Sequence, residues 1–71
     1  MIKYPIVVEK ANGNYSAYCP DLPGCVATGS TVDETIIKMK DAIELHIQGL
    51  KEDGLPIPKH STAVVYIEVT V

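Results

Sequence analysis

Two prolines three residues apart, in the stretch Tyr18-Cys19-Pro20-Asp21-Leu22-Pro23-Gly24-Cys25, divide this chain into an extended first part and a helical second part. Each ring fixes φ near −65° and drives the preceding residue into extended conformation, so neither a helix nor a regular strand runs through. The connector is stiff, and its sequence offers one carboxylate, Asp21, and one apolar side chain, Leu22, as candidate contact residues for a partner. Asp21 has two readings, as a cap on backbone amides within its own turn or as an exposed recognition charge. The first is the commoner behaviour of aspartate in loops.

Before the loop, Ile2 to Glu9 alternates with the period of a strand, Ile2, Tyr4, Ile6 and Val8 on one side and Lys3, Pro5, Val7 and Glu9 on the other. Pro5 cannot donate to a ladder, so regular pairing is expected after it or a bulge at it. Asn12-Gly13 is a favoured two-residue turn, and Tyr15 to Cys19 resumes the alternation, which predicts an antiparallel hairpin. Val26-Ala27-Thr28 is long enough for a short third strand, ended by Gly29.

The period then changes. Thr31-Val32-Asp33-Glu34 matches a capping box, in which the threonine hydroxyl accepts from the Glu34 amide and the glutamate reaches back to the Thr31 amide. Val32, Ile36, Met39, Ile43, Ile47 and Leu50 form an apolar stripe that has to cover the sheet. Gly54, with Pro56 beyond it, places the end of the helix near Asp53. Ala63 to Val71 reads as a last strand, with Val64, Tyr66, Glu68 and Thr70 on one face and Ala63, Val65, Ile67, Val69 and Val71 on the other.

The expected architecture over residues 1–71 is a single α+β domain of order βββαβ, a four-stranded, mainly antiparallel sheet with one helix on one face. Strand four would run parallel to strand one if the two pair. One helix covers only one face, and the other would carry Val7, Tyr18, Val64 and Tyr66. Uncovered apolar surface of this kind marks an interface, which makes Tyr18 and Tyr66 further candidates for partner binding.

Composition narrows the partner. A chain of 71 residues supports a small core, and self-association into a homodimer or larger homo-oligomer is the expected remedy. Net charge is −3, and all six positive charges are lysine. Arginine supplies most bidentate contacts to phosphate and guanine, so an acidic chain without it is poorly suited to direct nucleic-acid binding and better suited to a basic protein. No apolar run reaches the roughly 18 residues that span a bilayer, and the first five residues lack the layout of a secretory signal, which places the chain in the cytoplasm. Cys19 and Cys25 admit a disulfide or half of a shared metal site, but a reducing compartment and the absence of C-x2-4-C spacing favour two buried or half-buried thiols.

Catalysis would need convergent titratable groups. His46 sits at the edge of the helix stripe and His60 in a polar loop, and no third orienting group has a recognisable spacing. A βββαβ sheet is also the skeleton of metal-dependent nucleases, whose carboxylates lie inside strands and on the helix. Here only Glu68 and Glu34 stand near such positions, and Glu34 is engaged in the cap. The residues therefore favour a binding protein that uses no metal and no cofactor, with residual nuclease activity as the alternative.

Tyr4-Pro5, the Asn12-Gly13 hairpin, Tyr15-Ser16-Ala17, Pro20-Asp21-Leu22-Pro23-Gly24-Cys25, Gly29, Thr31 with Glu34, and Gly54-Leu55-Pro56-Ile57-Pro58, in this order, resemble the HicB family of antitoxins. The resemblance implies a partially degraded RNase H fold that works by binding. Members neutralise a small basic HicA toxin, an mRNA-cleaving ribonuclease, by covering its active-site histidine. Many carry a further C-terminal DNA-binding domain, which this chain, ending at Val71, is expected to lack. An orphan HicB-fold scaffold with another partner is the second expectation. Residues 20–24 match the family loop, and no catalytic or metal-binding residue carries over.

Overall fold

In a computed structural model, which describes residues 2–71, the chain is an α+β fold of three strands and one helix. The strands are β1 (Val7–Ala11), β2 (Asn14–Tyr18) and β3 (Val26–Gly29), paired antiparallel in the order β1-β2-β3, and the helix α1 spans Val32–Glu52. The ladder begins at Val7, after Pro5, because a residue without an N–H cannot open it. Ala11 pairs with Asn14 across the two-residue turn. Within that turn only Gly13 takes a positive φ, 76°.

The start of α1 follows the expected cap with one change of partner. Thr31 Oγ1 accepts from the Glu34 N–H at 3.0 Å, but the Glu34 carboxylate takes the N–H of Ser30 at 3.0 Å instead of that of Thr31. That bond and Lys38, 3.1 Å away, hold the Glu34 carboxyl below the usual carboxylate range. At the other end Leu55 N–H donates to Leu50 O and Gly54 N–H to Lys51 O, with Gly54 at φ 67°. This pairing is a Schellman stop, and only a left-handed residue completes it without strain.

The core is built on the proline loop. Leu22 and Met39 are completely buried, and Ala17, Cys19 and Cys25 nearly so, with Ile6, Val8, Ile43 and Ile47 packed around them. Helix α1 turns Thr35 inward and leaves Ile36 partly exposed, so the buried face is rotated by one residue from the expected stripe at its N-terminal end. The reason is Gly29. Its bare Cα lets the first turn of α1 approach so closely that a Cβ there would stand 2.5 Å from Thr35 Oγ1.

The fourth strand is the main correction. Residues 55–71 have no ladder partner among the described residues, and Val64 to Val71 lie exposed to solvent. The Cα radius of gyration is 13.9 Å, against about 11 Å for a compact chain of this length. The reason lies in residues 56–62. Pro56 and Pro58 keep the segment extended, and side chains of the body grip it at Pro58, Ser61 and Thr62.

Candidate functional site

Three backbone hydrogen bonds close the proline loop on itself. Cys19 N–H donates to Cys25 O, Leu22 N–H to Cys19 O, and Cys25 N–H to Leu22 O, each at 3.1 Å. The loop is thereby folded under the sheet, and Leu22 points into the core. Leu22 is thus corrected from a candidate contact residue to a core residue, because a loop closed this tightly turns its one large apolar side chain inward. Both thiols are free and buried, and burial, with a smaller contribution from Cys19, pushes the Cys25 thiol up from its ordinary value.

Asp21, beside Leu22, faces the other way, and its bonded carboxylate oxygen reaches across the chain instead of capping its own turn. Its Oδ1 accepts from the Ser61 N–H and Ser61 Oγ at 3.0 Å and from Thr62 Oγ1 at 3.1 Å, 40 residues along the chain. The Ser61 backbone bond, reinforced by the two hydroxyls, lowers the carboxyl from its ordinary value against a smaller opposing effect of burial. Tyr4 adds a second grip, its hydroxyl donating to the Pro58 carbonyl. Burial, then the nearby Cys19 and Asp21, raise the Tyr4 hydroxyl's pKa and keep it a donor.

A carboxyl whose folded pKa is depressed contributes stability above its unfolded value and loses it as pH falls through the folded one. Release of residues 58–62 from the body should therefore show as loss of protection of the Ser61 amide, with a midpoint below the ordinary aspartate value of 3.8. Asp21→Asn should leave that amide weakly protected at neutral pH. A midpoint at or above 3.8 in the native chain would remove the charge-assisted clamp from this account.

The sheet face turned away from α1 carries the second part of the site. Tyr18 is 43% exposed and pairs with Val7 on one side and Val26 on the other, so the three form an apolar row across all three strands. The next row on that face, Glu9, Ser16 and Thr28, is polar. Val26 was not among the candidates from sequence. The parity of β3 against Ala17 and Ala27 would have found it, because Ala27 turns toward the helix and its neighbour must turn away. Tyr66 is fully exposed on the unpaired segment and does not join Tyr18 on the sheet.

The titratable groups do not converge. Among the described residues no three of His, Cys, Asp and Glu lie close enough to hold a metal ion. Nor is any helix among them long and apolar enough to cross a membrane. The surface offers an apolar row, residues 58–62 clamped against the body, and a helix with more acidic than basic side chains.

Comparison with known proteins gives the family. The family described as HicB_like antitoxin of bacterial toxin-antitoxin system matches residues 4–69. An uncharacterized 14.9 kDa protein of Haemophilus phage HP1 is 42% identical over 90% of this chain and 48% of its own length. A UPF0150 protein of Synechocystis is 38% identical over 96% of this chain and 87% of its own. A chain of a HicA3 and HicB3 toxin-antitoxin complex superposes with a TM-score of 0.67 at 33% identity, over 78% of this chain and 64% of that one. The chain thus spans about half the phage relative and less than two thirds of that structural neighbour. With the match running from Tyr4 to Val69, through hairpin, proline loop and helix alike, the chain belongs to the HicB-like antitoxin family of bacterial toxin-antitoxin systems.

Proposed function

We propose that this chain is an antitoxin-type binding module that occludes the active site of a basic, HicA-type mRNA-cleaving toxin and performs no catalysis of its own. The observation that carries the reading is the fold likeness to a chain of a toxin-antitoxin complex, at 33% identity. The charge of −3 and the lack of arginine are in keeping with it, since an acidic surface attracts a basic protein and repels RNA. The row Val7, Tyr18 and Val26 supplies an apolar anchor on the face that α1 leaves uncovered. Asp41, on the exposed side of α1 and in no ion pair within 4.0 Å among the described residues, contributes to steering.

The test is to mix the purified chain with a basic toxin encoded beside its gene and to follow complex formation together with RNA cleavage. Binding with loss of cleavage supports the reading, and a toxin that is neither bound nor inhibited overturns it. Tyr18→Ala should weaken the complex about tenfold or more with the fold intact, as expected for truncating a tyrosine anchor. Asp41→Lys should slow association by about threefold at low salt and by much less at physiological salt, since steering is screened. An association rate indifferent to Asp41 and to salt would remove the electrostatic part.

A further inference from the structure

Residues 63–71 and one edge of the body are complementary, and neither has a ladder partner among the described residues. The segment is nine residues of high strand propensity, Ala63-Val64-Val65-Tyr66-Ile67-Glu68-Val69-Thr70-Val71. Ile67 is 80% exposed and Val69 75%. A lone strand gains nothing from being extended, because its amides stay in water and its apolar face stays wet. On the body, β1 pairs only with β2, which leaves its outer edge open among the described residues. Helix α1 packs chiefly over β2 and β3 and only lightly over β1. Two adjoining hollows of 510 and 490 Å³ therefore lie between the N-terminal segment and the helix, lined by Ile2, Tyr4, Ile36, Ile43 and Ile47.

We infer that residues 63–71 of one copy add as a strand to the outer edge of β1 in a second copy and press Val65, Ile67 and Val69 into its apolar groove, reciprocally, so that the chain forms a strand-exchanged dimer. The chain's own segment is held off its own groove. Pro56 and Pro58 stiffen the connection, and Asp21 and Tyr4 fix residues 58–62 against the body before the strand begins. Short, rigid connections of this kind favour exchange over closure within one chain.

A second copy fits the groove better than a basic partner does. At its rim Lys40 pairs with Glu44 at 3.9 Å and Lys51 stands beyond them, so the rim offers a lysine- or arginine-rich segment no net negative charge. Residues 61–71 contain no lysine and a single acidic side chain, Glu68. Each chain also has one strand to give and one β1 edge to receive it, so two copies close on each other with both β1 edges and both donated strands paired.

The dimer does not depend on the antitoxin reading, because no toxin enters the assay. Sedimentation of the native chain should give the mass of two copies. The double variant Ile67→Asp, Val69→Asp should keep the helical circular dichroism, since both positions are exposed on the isolated chain, and should weaken dimerisation about 100-fold or more by placing two charges in an apolar groove. A mixture of differently isotope-labelled native chains should show contacts from the Ile67 and Val69 methyls to Ile43 and Ile47 only between copies. A monomeric native chain, a dimer indifferent to the two aspartates, or the same contacts arising within one copy would each overturn the proposal. So would a segment that becomes ordered only when a basic toxin is added.

Discussion

Replacing Gly29 by alanine is expected to cost this chain about 3 kcal/mol, the upper part of the range for overpacking a closely fitted contact. The added Cβ would lie 2.5 Å from Thr35 Oγ1, 2.9 Å from Thr35 N and 3.1 Å from Thr35 Cα. None of these atoms is free to yield. Thr35 is completely buried, its hydroxyl donates to Thr31 O at 2.7 Å, and its N–H donates to the same carbonyl at 3.0 Å. Relief therefore requires moving the first turn of α1 off β3, which disturbs the Thr31 cap and the packing of Met39 behind it. Urea unfolding followed by circular dichroism should show a lower midpoint at nearly unchanged slope. Adding Thr35→Ala removes the 2.5 Å contact and leaves those with backbone atoms, so the double variant should recover part of the loss, a non-additivity diagnostic of direct contact. Wild-type stability in Gly29→Ala would refute the close approach.

The same contact explains how far the sequence could be read. Local signals were legible where local forces decide. The Asn12-Gly13 turn set the register of the hairpin, Thr31 set the start of α1, and Gly54 set its end. The helix stripe was misplaced by one residue at its N-terminal end, because Gly29 draws Thr35 inward and no pattern within the helix records that. Glu34 reached Ser30 instead of Thr31, a choice between neighbouring amides that spacing does not distinguish. Asp21 was recognised as the distinctive polar residue of the loop, yet its partners lie 40 residues away. Contacts at that separation are decided by tertiary packing. Strand propensity in residues 63–71 was likewise legible, whereas pairing depends on an edge being within reach of the same chain.

Leu22→Ala is the sharpest discriminator between a loop that presents its side chain and one that buries it. Leu22 has no exposed surface and packs with Ala17, Cys19, Cys25 and Met39. Truncating a buried leucine costs about 2–5 kcal/mol, and the loop's three backbone bonds leave little room for it to collapse into the space. A domain of this size has only about 3–5 kcal/mol from its core, so the loss removes most of its stability. The variant should show a broad, low-temperature transition or none, with helix content falling along with loop structure. Leu22→Met, which conserves volume, should cost less than about 1.5 kcal/mol and keep a cooperative transition. Were Leu22 a partner contact, Leu22→Ala would melt like the native chain and lose only binding. A stable, fully helical Leu22→Ala would therefore move the loop from the core to the interface, and with it the reason that Pro20 and Pro23 hold the loop rigid.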